Sequence, residues 1–401
     1  MKNLPTTAKV KAMVALLALC ALVVFALTVN TYAATIPPEV LAEIEANYPE
    51  GLPRYTTPEE QQWMNEQAAL GILEVEPLAL TSPPTGNIWT PGEYEQLDGV
   101  LIAWEGGYPS LLTQFAVEVS QSDTNATVYV IVDDTTEQST VTSTLTSAGA
   151  NMSNVEFIVR TTNSVWIRDW GPRHFYEDSN RAIMDHTNNS SARPDDNAFP
   201  SWLATEWPDA YYDHALTHGG GNFHVISDGN AFMSTLILEE NSENEAEIIQ
   251  IFKDYHNVNL TIYTKLPSTI DATGHIDMWM MPLSDTDILI SEFPDGSTGD
   301  ELTAKNLTDA AAANLTSRGY TIWRIPADRN SRAHYTYTNA AVVNNKVFVP
   351  QYASGDATFA DEDAEALAVF EAAMPDHEII PTDCYSIISR SEEHTSELQS
   401  R

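Results

Sequence analysis

Residues 235–263, TLILEENSENEAEIIQIFKDYHNVNLTIY, place one short apolar run before a helical pattern and another after it. Ser242-x-x-Glu245 reads as a capping box, in which a hydroxyl and a carboxylate satisfy the open N–H groups of a helix start. Behind it, Ile248, Ile249, Phe252 and Tyr255 fall on one helical face. The flanking runs 235–238 and 260–263 read as strands. Strand, helix, strand is the unit of an α/β layer, and the alternation extends outward in both directions. Further strands are predicted at 100–104, 128–132, 155–159, 182–185, 288–291, 321–325 and 341–349. The last folds back through Asn344-Asn345, a pair that tolerates the positive φ of a tight hairpin. A helix over 361–374 buries Leu367, Phe370 and Met374 and stops at Pro375. No strict sequence repeat is present, yet the strand, strand, helix rhythm recurs every 50 to 60 residues, the scale of a propeller-like assembly.

The chain has 401 residues, 43% of them hydrophobic, enough for a sizeable core. With 19 Lys and Arg against 57 Asp and Glu, its formal charge of -38 excludes nucleic acid and anionic membranes as natural partners. The same charge suits cationic small molecules or basic peptides, and equally suits plain solubility. The two cysteines, Cys20 and Cys384, leave no internal disulfide for a mature chain. Residues 12–29 are uncharged, follow Lys2, Lys9 and Lys11, and lead into Thr31-Tyr32-Ala33-Ala34. This is the pattern of a signal peptide over 1–34, hence a secreted or periplasmic protein. Since 18 apolar residues also just span a bilayer, an N-terminal anchor is the alternative. Residues 35–85, with Pro37-Pro38 and the helix start Thr57-Pro58-Glu59-Glu60, read as a pro-segment or linker.

Four polar clusters interrupt the scaffold. Trp166-Ile167-Arg168-Asp169-Trp170-Gly171-Pro172 sets a carboxylate among aromatic rings, an arrangement suited to a flat delocalised cation. Its alternative is an internal Arg-Asp ion pair tying a loop. His218-Gly219-Gly220-Gly221-Asn222-Phe223-His224 lets backbone approach a ligand closely, which makes Gly220, Gly221 and Asn222 candidate substrate-binding positions. Without a G-x-S-x-G elbow the HGGG run does not read as a hydrolase oxyanion hole, and it is no dinucleotide fingerprint. In Gly274-His275-Ile276-Asp277-Met278-Trp279, an extended backbone would put His275 and Asp277 on one side and turn Ile276 into the core. One group can then move a proton while the other holds a substrate. A competing metal set of His218, His224 and His275 lacks any fixed ligand spacing. In the fourth cluster, Tyr335-Thr336-Tyr337-Thr338-Asn339, Asn339 is either a site residue or a turn cap.

In this order and at these distances, the clusters resemble the Porphyromonas-type peptidyl-arginine deiminase family, the guanidino-modifying group that also contains agmatine deiminases. The resemblance runs from about Pro91 to Ser389 and defines a catalytic domain over 86–389. It implies a pentein fold, a five-bladed α/β propeller with its site at the central channel. It also implies that Asp169 and Asp277 clamp the guanidinium, that His275 is the general acid and base, and that Asn339 is a site residue. Trp166 would pack on the substrate, and Arg193 would hold the carboxylate of a C-terminal arginine. Ser191 stands where the protein-citrullinating members carry a second arginine, so the substrate is either an arginine-containing peptide or agmatine. No metal or cofactor is implied.

The family cysteine is expected after a Gly-rich turn ending in His-Cys, and the sequence has no such segment. Cys384 lacks the preceding histidine and reads as a packed structural thiol. Residues 390–401 read as a non-native, adapter-derived tail, which would leave the last blade truncated and the chain without its nucleophile. A non-catalytic pentein-fold protein binding cationic guanidino ligands is the alternative.

Overall fold

The computed structural model describes residues 40, 46–48, 52, 56–69, 81–190, 192–330, 333–391 and 399–400. The expected signal peptide, Cys20, Ser191 and residues 392–398 of the expected tail lie outside the described residues.

Among the described residues the strands form five sheets, and each contains a parallel pair. Parallel neighbours need a crossover, and a helix supplies it each time. In one sheet Gly99–Ala103, Thr127–Val132 and Val155–Val159 run parallel, joined through the helices Pro109–Val119 and Thr135–Ala148. Elsewhere Asn180–Asn188 pairs with Ala210–His218 across Phe199–Glu206, and Asn230–Ser234 with Asn259–Tyr263 across Glu245–His256. Asp287–Glu292 pairs with Thr321–Asn330 across Gly299–Ser317, and Lys346–Gln351 with Glu378–Asp383 across Ala360–Ala373. An antiparallel strand flanks each pair. The crossover units that begin at Asn180, Asn230, Asp287 and Lys346 start 50, 57 and 59 residues apart, which is the rhythm read in the sequence.

Local chemistry explains the element ends. Asp134 accepts the N–H groups of Thr136 and Glu137 at one helix start, and Gly149 closes that helix with φ +94°. At the 341–349 hairpin Asn344 takes φ 54°, and its side chain bonds Leu97 and Thr124. Two expectations are corrected. Residues 236–238 of the run 235–238 open a helix, Leu236–Glu240, with Thr235 as its N-cap, and the neighbouring strand is Asn230–Ser234. The capping box is formed by Asn244 and Glu247, not by Ser242 and Glu245. A short apolar run carries no periodicity to separate helix from strand, and two overlapping polar frames competed for the same cap.

The cores of the units merge. The largest apolar cluster joins Leu101 and Ile131, Ile183, Leu289, Val347, and the helix residues Phe370 and Ile387, so four sheets share it. Leu52 and Trp63, from the region read as a pro-segment, are also buried and pack with Ala192. No helix among the described residues is long and apolar enough to cross a membrane.

Candidate active site

The four polar clusters sit in segments that leave four different sheets, after strands Val155–Val159, Ala210–His218, Asn259–Tyr263 and Ala333–Thr336. In open α/β sheets the space beyond the strand ends is where ligands bind.

The first segment turns through a four-residue helix, Ile167–Trp170, in which all four residues are buried. Arg168 donates to Glu93 at 2.7 Å, and Arg173 donates to the same oxygen at 3.1 Å. Burial alone would raise the Glu93 pKa, but Arg168, His224 and Arg173 together hold it well below the usual carboxylate range. The R-D motif is therefore split in direction. Arg168 is committed to the Glu93 network, while Asp169 Oδ1 accepts the Gly221 N–H at 3.0 Å and lies 3.5 Å from His275 Nδ1. The Asp169 carbonyl accepts His186 Nε2–H at 2.8 Å, and burial lowers the His186 pKa to about 4, so this ring is neutral at physiological pH.

The glycine run makes this approach possible. A Cβ on Gly219 would fall 2.6 Å from His275 Cε1 and 3.0 Å from Asp169 Oδ1. A Cβ on Gly220 would fall 2.1 Å from the Arg168 carbonyl oxygen, so only glycine lets the turn Gly220–Asn222 pack on the R-D helix. Asn222 is fully buried, and its Oδ1 accepts the N–H groups of Ser234 and Ile276 at 2.9 and 3.1 Å. It thereby ties the glycine turn to the His275 segment.

That segment is not extended throughout. His275 has extended backbone angles, but residues Ile276–Met278 form a single 3-10 turn. The expected alternation of faces does not apply, although Ile276 does enter the core. His275 and Asp277 are each 2% exposed. Thr338 Oγ1 donates to the Asp277 carbonyl at 3.0 Å and Thr336 Oγ1 to that of Met278 at 2.8 Å, which lays the Asn339 segment along the H-x-D turn. Asn339 is 1% exposed, in the bend before strand Ala341–Val343.

The structure thus brings Asp169, Gly221 and His275 into contact, with Asp277 and Asn339 on segments packed beside them. Trp166 and Arg193 are engaged from the N-terminal side. The Trp166 indole donates to the Leu52 carbonyl at 2.7 Å, and Arg193 forms a buried two-point pair with Glu60 at 3.0 and 3.2 Å. Glu60, Glu93, His186 and Glu240 were not singled out from sequence. Glu240 is raised to about 7, chiefly by burial with a contribution from the Asp169 charge. Glu60 stands in a capping box with Thr57 and the other three in no motif, and none reads as a site residue because the long-range partner of each is distant in the chain.

Among the described residues no group of three or more His, Cys, Asp or Glu side chains is placed to hold a metal ion. His218 instead stacks on His186 at 4.0 Å between ring centres, and burial drives its pKa well below the ordinary value. Cys384 is fully buried beside Ile387 and Ile388, and its thiol donates to the Thr382 carbonyl at 3.1 Å. Chemically, the arrangement offers a carboxylate oriented by a backbone amide next to an imidazole, in a site closed to bulk water.

Residues 89–392 match the profile of the Porphyromonas-type peptidyl-arginine deiminases. A Latilactobacillus sakei protein assigned as an agmatine deiminase is 26% identical over 224 residues, a match that spans 49% of this chain and 58% of that protein's length. Among solved structures, the C. jejuni agmatine deiminase superposes with TM-score 0.63 at 20% identity, over 79% of this chain and 96% of the other. The Enterococcus faecalis agmatine deiminase gives 0.66 at 16% identity, over 80% and 99%.

Proposed function

The chain belongs to the Porphyromonas-type peptidyl-arginine deiminase family and has its pentein-type α/β fold, and from that premise we propose that its site binds the guanidinium of agmatine or of a peptide arginine. The observation that carries this reading is Asp169, whose Oδ1 is aimed by the Gly221 amide and lies 3.5 Å from His275. A planar guanidinium offers paired N–H donors that match a carboxylate in two-point geometry. Asp277 is the second clamp in this reading, Asn339 a further site residue, and the backbone of Gly220 and Gly221 with Asn222 forms the wall. The five sheets, each built on a helical crossover, support a five-bladed propeller. The charged-then-apolar N-terminus supports export.

In the family reaction a cysteine thiolate adds to the guanidinium carbon, and ammonia leaves with a proton supplied by His275. Water, deprotonated by the same imidazole, then displaces the thiol and leaves a ureido group. Cys384 is not that nucleophile in our reading, because its sulfur is packed in the apolar core and bonded to a backbone carbonyl. The 401-residue chain therefore binds the ligand without turning it over, which also keeps the non-catalytic binder as the second reading. The test is an assay for ureido product from agmatine, free arginine and an arginine-terminated peptide. Ligand binding without product is expected, and turnover abolished by Cys384→Ser would overturn the assignment of that thiol.

A further inference from the structure

Behind the glycine turn lie four buried imidazoles, those of His186, His214, His218 and His256. The His214 ring lies 5.5 Å from that of His218 and 5.6 Å from that of His256. Burial keeps all four neutral, and the charge of Arg173 adds to this at His256. A neutral ring has one N–H, and its hydrogen bonds show which nitrogen carries it. His218 Nδ1 meets the Gly219 carbonyl at 3.0 Å, and a carbonyl can only accept, so the proton is on Nδ1. His218 Nε2 therefore carries a lone pair, and it has no hydrogen-bond partner among the described residues. Two other enclosed atoms share that condition, His256 Nδ1 and Arg173 Nη2, while Arg173 Nη1 donates to Glu93 at 3.1 Å. His218 and His256 are 3% and 2% exposed. All three residues border one cavity of about 10 Å³. They gather around the Phe223 ring, with Arg173 Cζ and the His256 ring 5.0 Å from its centre and the His218 ring 6.4 Å away.

The charges around this cavity select what it can hold. The lone pair on His218 repels an anion, and the guanidinium of Arg173 repels a cation. A small neutral molecule that both accepts and donates is left, and a cavity of this size takes about one water. We propose that the cavity is the site of one internal water, which accepts from Arg173 Nη2, donates to His218 Nε2 and takes His256 Nδ1 as its third partner. Three partners are the usual number for a buried water, and this one would satisfy three buried polar atoms at once. The water joins two frames that meet at Asp169. On one side Arg173 shares Glu93 with Arg168, whose chain neighbour is Asp169. On the other, His218 holds the Gly219 carbonyl, two residues before the Gly221 amide that aims Asp169 Oδ1. The water is thus a positioning element for the carboxylate, whichever ligand Asp169 receives.

The test is a crystal structure of the full chain grown in bromide, together with amide hydrogen exchange on wild type, His256→Phe and His256→Gln. Phenylalanine keeps the ring that stacks on Phe252 and removes the nitrogen, whereas glutamine restores a polar atom. The expected density is one peak within hydrogen-bond distance of Arg173 Nη2, His218 Nε2 and His256 Nδ1, without the anomalous signal of bromide. An empty cavity would overturn the proposal, and so would bromide at that place, which would make it an anion site. Exchange over residues 219–222 should rise about fivefold in His256→Phe, the worth of one hydrogen bond, and keep the wild-type rate in His256→Gln. Equal exchange in wild type and His256→Phe would overturn the positioning role. An equal rise in both variants would overturn it too, since packing alone would then account for the effect. The wild-type density decides the water site even if His256→Phe does not fold.

Discussion

Asp169 holds its place through three separate constraints: an amide on one oxygen, an imidazole beside it, and a neutral histidine on its carbonyl. Asp169→Asn keeps the shape and removes the charge. It should weaken binding of agmatine by about 10- to 100-fold, the range of a charge-assisted hydrogen-bonded pair. Calorimetry measures this, and an unchanged thermal midpoint would show that the loss is local. At this scale the sequence was informative where chemistry is contiguous. Asp169 beside Arg168, His275 two residues from Asp277, and three glycines in a row are visible because neighbours in the chain are neighbours in the site. Glu93 and Glu60 were not visible, because they meet Arg168 and Arg193 across 75 and 133 residues. A glutamate in a Pro-Gly turn or in a capping box looks the same whether or not it finds a distant arginine.

Secondary elements deliver these residues through their ends. The helix Glu245–His256 buries Ile248 and Phe252, and its start is fixed by Asn244, whose side chain accepts from Ala246 and Glu247 while Glu247 returns the bond. Asn244→Ala should cost about 1 kcal/mol of stability, read as a lowered urea midpoint with an unchanged slope. Ser242→Ala, one frame away, should change little. An equal loss from both would restore the Ser242 frame. The helix itself was legible from its periodic apolar face, and its exact start was not, since Ser242 and Asn244 each precede a glutamate by three. The strand reading of 235–238 failed for a related reason. A threonine and three apolar residues fit either a strand or one helical turn, and the choice was made by Asn230–Ser234, which took the place in the sheet beside Asn259–Tyr263.

The whole molecule combines a charge of -38 with an interior that holds carboxyl groups away from water. Burial is the leading cause in each case, raising Glu105 to about 9, Asp185 to about 8, and Asp196 to about 7. Between the ordinary carboxyl values and these, the folded chain binds more protons than the unfolded chain, so stability present at low pH is lost as pH rises. His186 and His334 act in the opposite sense. Burial lowers them from 6.5 to about 4 and about 3, so the stability they allow above 6.5 is lost as pH falls. The thermal midpoint should peak between about pH 5 and 6.5 and fall on both sides, and a steady rise to pH 9 would contradict this balance. A surface this acidic attracts any cation, so specific recognition has to be separated from general attraction. Calorimetric titration of the full chain with agmatine and with its ureido counterpart, at moderate salt and with putrescine as the cation control, makes that separation. Selective binding of agmatine, at least about tenfold tighter than either comparison ligand, is the predicted result. Equal affinities for all three would contradict a guanidinium site at Asp169.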